Sequence, residues 1–304
     1  MRIALLSLLV LLATSSTTAQ AKWPKPDWEK VGGQWLSPCT DDGPQTQTYS
    51  LKNYQLRIDR VSESDVHDHL CRAYLTGENG FEKELLEDER ISIHQGSGQD
   101  IFGSGNPTLV LEGYSGGAHC CYSYVIAELR ATPVVLPEIE NDSPFFFFKD
   151  DRSGQYRILT ADGAFDYFDE MCHACSPFPH IVLEVSDGSV RDASSRYVAQ
   201  YDTDISEARS KIRQDELGRF LTIAKLHDLD NQERFEELRQ HVLEIVLSYL
   251  YSGREAQAWQ TLDEMWPASD KFRIKRLILQ TTRDGLLSKL NGSGPGPESE
   301  RPQK

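Results

Sequence analysis

Runs of lysine and arginine are missing from this sequence, and so is any interleaving of basic with aromatic residues. Asp and Glu number 47 against 32 Lys and Arg, a formal charge of −15. A surface of that sign repels polyanions, which argues against nucleic acid as a partner. Long apolar runs are also missing. The longest, Ile3 to Ala13, covers roughly 11 residues where a bilayer-spanning helix needs about 20, and no later segment does better, so no membrane span is expected. Beyond Asp204 glycine and proline become sparse, which excludes a turn-rich β architecture for that half.

What is present begins with a leader. One charge, Arg2, precedes the apolar run, and a small polar segment ends in Ala19-Gln20-Ala21. This is the pattern of a secretory signal peptide, residues 1–21, with cleavage expected near Ala21. Loss of Arg2 takes the charge from −15 to −16. The mature chain of about 283 residues is long enough for two domains with cores of their own. It is expected in the periplasm or outside the cell.

All six cysteines, Cys39, Cys71, Cys120, Cys121, Cys172 and Cys175, lie in the exported part. An even count in an oxidising compartment favours disulfides. One arrangement pairs Cys39 with Cys71 and ties Cys120 and Cys121 to Cys172 and Cys175, joining two neighbouring β modules.

Residues 22–45 hold Trp23, Trp28 and Trp35 without a clear period and read as an irregular entry segment. From 46 to 203 the pattern is strand-like: Tyr49 to Ile58, Ile91 to His94, Thr108 to Leu111, Tyr122 to Leu129, Phe145 to Phe148, Tyr156 to Leu159 and His180 to Val185. Val, Ile, Tyr and Phe dominate these runs, and Gly, Asp, Asn or Pro bound them. The acidic run Glu82 to Glu89 reads as a charged helix or loop surface. Over 204–290 apolar residues recur three and four apart, predicting helices over about 205–225, 233–251, 254–265 and 271–290. Residues 291–304 read as a disordered tail. The fold class is therefore a mainly-β N-terminal domain followed by an all-α domain.

Three motifs carry possible chemistry. Gly113-Tyr-Ser115-Gly-Gly117 has the spacing of a hydrolase nucleophile elbow, with Asp166 or Asp169 and then His180 following in the right order. The elbow needs a helix next, and Cys121 to Ile126 favours a strand, so the bland reading is a tight β turn. His119 and Cys120 with Cys172 and Cys175 form a possible zinc or copper set. Cys172-His-Ala-Cys175 has thiol-oxidoreductase spacing, but Pro177 and Pro179 exclude a helix running on from it, and with it the dipole that would stabilise a thiolate. His67 and His69 beside Asp65 and Asp68 read as a solvated turn before a metal site.

Asp100-Ile-Phe-Gly-Ser-Gly-Asn-Pro leads into the strand at Thr108, and Asp150-Asp-Arg-Ser-Gly-Gln into the strand at Tyr156. This repetition, over roughly 98–165, resembles the FG-GAP or VCBS-type repeats of β-propellers, and the resemblance implies blades and calcium loops. The loops depart from the family pattern at Phe102 and Ser104, where acids would supply the six to eight oxygens calcium requires. A closed propeller needs at least about four blades, so a partial propeller and a sandwich both stay open. The block holding Gly116-Gly-Ala-His-Cys-Cys121 resembles a group of exported bacterial proteins with that signature, which implies location and β context but no activity. Tyr249 to Leu262 resembles one tetratricopeptide hairpin, and a groove near Tyr251, Trp259 and Trp266 is the place where it would take a peptide. The expected function is non-catalytic: binding or scaffolding with a protein or peptide partner, and no resident cofactor.

Overall fold

The computed structural model describes residues 21–24, 44–61, 70–77, 80–94, 96–116, 121–226 and 228–292. Residues 1–20 of the leader, Trp28, Trp35, Cys39, the pair His67 and His69, His119, Cys120 and residues 293–304 lie outside them.

The β part is three antiparallel meanders laid down in chain order. The first sheet is β1 (Thr46–Leu51), β2 (Tyr54–Val61), β3 (Leu70–Gly77) and β4 (Glu82–Asp88), in that spatial order. The second is β5 (Arg90–Ile93), β6 (Thr108–Tyr114), β7 (Tyr122–Glu128) and β8 (Val134–Val135), with β9 (Ile139–Asn141) also pairing β7. The third is β10 (Phe146–Lys149), β11 (Tyr156–Ala161), β12 (His180–Ser186) and β13 (Ser189–Asp192).

Their packing follows from side-chain alternation. On the middle sheet Ile91, Ile93, Leu109, Leu111, Val125 and Ala127 point one way, into a core shared with Leu56, Ile58, Ala73, Leu75 and Leu86 of the first sheet. Val110, Tyr124 and Ile126 point the other way, into a core shared with Phe147, Ile158 and Leu183 of the third. A sheet covered on both faces needs apolar residues at consecutive positions, which is why Thr108 to Leu111 is buried throughout. The first sheet is covered on one face only, and over Tyr54 to Asp59 β2 alternates buried positions with more open ones accordingly.

Helices cover the far side of the third sheet: α1 (Val198–Lys211), α2 (Gln214–Leu221), α3 (Leu229–Arg234), α4 (Glu236–Tyr251), α5 (Glu255–Met265), α6 (Lys271–Asp284) and α7 (Leu286–Leu290). Phe148 of β10 meets Tyr197, just before α1, edge to face at 5.8 Å between ring centres. Tyr201 of α1 donates to the carbonyl of His180 at 2.6 Å. The all-α domain is thus continuous in its core with the third sheet.

Several expected elements are corrected. The run Tyr49 to Ile58 is a hairpin, turning at Lys52, which takes φ 58°. The acidic run Glu82 to Glu89 is a strand over most of its length. A register shift opposite Ala73 and Tyr74 lets both Leu85 and Leu86 turn inward while the charges stay outside. The first long helix begins earlier, at Val198, and breaks at Ile212, whose extended backbone buries its side chain. The second splits at Phe235 and the fourth at Gly285, which is extended at ψ 172°. The described residues contain three sheets, one short of the smallest usual propeller.

Candidate functional site: an acidic cleft at the sheet ends

The Gly-Tyr-Ser-Gly segment does not lead into a helix. Strand β6 ends at Tyr114, Gly116 takes φ 81°, and β7 resumes at Tyr122, with the Ser115 amide donating to the carbonyl of Cys121 at 3.3 Å. The turn forms one wall of a cleft of about 520 Å³. Glu87, Asp88 and Glu89, at the passage from β4 to β5, form a second wall, and Glu138, Glu140 and Asp142 around β9 form a third. Asp162, Ala164, Leu286 and Lys289 close the floor.

Buried polar bonds hold these walls. The Asn141 amide nitrogen donates to the carbonyls of Ser143 (2.9 Å) and Ala161 (3.0 Å) and to the hydroxyl of Thr160 (3.0 Å), and its oxygen accepts from the Gly163 amide at 3.3 Å. These contacts fix β9 against β11. Asp162 accepts from the hydroxyl of Tyr251 at 2.5 Å and from the amides of Leu286 and Ala164, each at 3.2 Å. One carboxylate thereby joins the third sheet to the end of α4 and the start of α7. Gly113 lets Asp88 lie against the backbone of β6, where any Cβ would collide with its carboxylate.

Seven carboxylates line the cleft against one lysine. Burial pushes Asp88 up to about 6, with Glu89 and Glu138 adding to the effect, and the amide of Glu89 works against it. Burial likewise raises Asp142 and Asp162, while Lys289 opposes both shifts. Behind the Ser115 wall, burial pushes Glu112 up to about 7, although it accepts from Tyr124 at 2.8 Å. Tyr124 in turn accepts from the Phe145 amide at 2.8 Å. Among the described residues, no three of the cleft carboxylates bring oxygens within 4.8 Å of one another. The negative charge is therefore spread over the walls rather than gathered into a cage for one ion.

The acids and histidine expected to serve Ser115 make other contacts. Asp166 meets Nδ1 of His173 at 2.8 Å, and His180 meets Asp204 at 3.1 Å beneath the ring of Trp23, so each of the expected partners of Ser115 has a different companion. Asp169 is committed to Arg239 (2.7 Å) and Arg273 (2.6 Å).

The cross-tie expected between Cys120–Cys121 and Cys172–Cys175 is overturned, because Cys172 is bonded to Cys175 within one four-residue segment, with Cα atoms 5.0 Å apart. Cys71 and Cys121 each take part in a further disulfide. The acidic turns for which the propeller resemblance implied calcium, and which the sequence reads as plain turns, use these carboxylates within their own loops. Asp100 accepts from the amides of Ser104 and Gly105, and Asp150 from the amide of Arg152 and the hydroxyl of Ser153.

The aromatic groove expected in the helical part is a piece of core. Trp266 is fully buried with its indole N–H on Asp270 at 2.9 Å, and Tyr251 is buried on Asp162. Trp259 is only half-buried, under Lys275 at 4.4 Å.

Glu138, Glu140, Asp142 and Lys289 were not legible as site residues in the sequence. The one local signal was Glu138-Ile-Glu-Asn-Asp142, acids alternating around a buried isoleucine as on a short edge strand. Comparison with protein-family models, curated proteins and solved structures finds no match for this chain.

Proposed function

We propose that the protein is a non-catalytic binding component exported from the cell, and that its cleft takes a basic segment of a peptide or protein partner. The observation that carries this reading is the excess of seven carboxylates over one lysine around a cavity of about 520 Å³. A volume of that size suits several side chains. Carboxylates spread over separate walls suit separate cationic groups along an extended ligand, whereas calcium needs its oxygens converging at one point. The Ala19-Gln20-Ala21 leader supports export, and the three successive antiparallel meanders, of four, five and four strands, support the resemblance to propeller blades.

The reading is tested with a lysine- and arginine-rich peptide carrying a photo-crosslinker, mixed with the mature protein at low and high salt. Crosslinks at the Glu138 to Asp142 wall that fade with salt support it. Crosslinks elsewhere, or none above those of a neutral peptide, overturn it.

A further inference from the structure

We propose that the Cys172–Cys175 disulfide is an accessible thiol–disulfide exchange site that reacts faster with cationic thiols than with anionic ones. Cys172 is exposed and Cys175 half-buried, so an incoming sulfur reaches the bond without unfolding. The sequence separation is three, and loop-closure stabilisation is least for so short a loop, which leaves the bond little structural role.

The local field departs from the one the prolines imply. Pro177 and Pro179 do exclude a helix running on from Cys175, and the segment His173–Cys175 is a single 3₁₀ turn. The pair instead sits over the N-terminus of another helix. The Cys172 amide donates to the carboxylate of Glu236, the first residue of the 16-residue α4, at 3.4 Å. A helix N-terminus favours a thiolate leaving group. The Glu236 carboxylate lies within 4.8 Å of both sulfurs and repels an incoming anion. Together these fields favour an attacking thiol with a positive charge nearby.

The exchange balances with an external thiol as reductant. Its thiolate attacks Cys172 Sγ, the Cys172–Cys175 bond breaks, and Cys175 leaves as a thiolate that takes a proton from water. A second thiolate attacks the external sulfur of the mixed disulfide and expels Cys172. Two external thiols are thereby oxidised to one disulfide as the protein gains two thiols.

The test uses the folded mature protein with cysteamine or mercaptoacetate at equal thiolate concentration, followed by alkylation and peptide mapping. Cys172 and Cys175 are expected to label at least about tenfold faster than Cys71 and Cys121, with cysteamine outpacing mercaptoacetate. In Glu236→Gln, with circular dichroism confirming the fold, the ratio between the two reagents is expected to narrow. Labelling of Cys172 and Cys175 no faster than the other disulfides, or a ratio indifferent to Glu236, overturns the proposal.

Discussion

Tyr251, the last residue of α4, donates its hydroxyl to Oδ2 of Asp162 at 2.5 Å, across 89 residues of chain. Both groups are buried, and burial holds the Tyr251 hydroxyl well above its ordinary value. The bond fastens the helical part to the third sheet through Asp162, which also lies in the floor of the cleft.

Tyr251→Phe removes that donor and leaves Asp162 with two backbone amides. The expected loss is about 1–3 kcal/mol. Urea unfolding of the two proteins measures it, and an unchanged midpoint would show that the contact contributes nothing.

Asp169 holds two arginines, Arg239 nearly inaccessible to solvent and Arg273 partly exposed, from a backbone at φ 52°. Asparagine tolerates that conformation about as well as aspartate. Asp169→Asn therefore isolates the charge, and leaving Arg239 buried beside a neutral partner is expected to cost on the order of 3 kcal/mol. Thermal unfolding at neutral pH reads the loss.

Glu112 gives stability a pH dependence of known sign. Its carboxyl is raised from 4.5 to about 7 by burial, so the folded state holds the proton more tightly than the unfolded state. Its contribution is full below about 4.5 and is lost as pH rises through about 7. Glu112→Gln is expected to flatten this decline and to gain on the order of 2 kcal/mol at pH 8 relative to the parent. Chemical denaturation at pH 5 and pH 8 separates this from a uniform change in stability.

The cleft itself should titrate. Asp88, raised to about 6, loses charge as pH falls toward 5, and burial shifts Asp142 and Asp162 in the same direction. Binding of a basic peptide is expected to weaken by about three- to tenfold from pH 7.5 to pH 5. Fluorescence polarisation with an oligolysine probe follows it.

The division into strands and then helices was legible because period-2 and period-3.6 patterns occupy separate halves of the chain. Strand β4 was hidden, since Glu82-Lys-Glu-Leu-Leu-Glu-Asp88 has neither alternation nor β-branched residues, and a bulge is what makes it fit. The doubly covered strands were visible as unbroken apolar runs, among them Phe145 to Phe148. Of the cleft, the sequence showed the Ser115 turn but not its companions. Glu87 to Glu89, Glu138 to Asp142 and Lys289 are brought together only by sheet packing and by the Asp162 tie to α7. Tyr251 and Trp266 misled because tryptophan and tyrosine serve a buried core and a binding face equally well.

The most direct test is isothermal titration of the mature protein and of the double variant Glu138→Lys, Glu140→Lys with a lysine- and arginine-rich peptide at pH 7.5. Both substituted positions are exposed, so the variant is expected to fold. The acidic-cleft account predicts binding by the parent and at least about tenfold weaker binding by the variant. Equal affinity in the two proteins, or no heat with either, would contradict it.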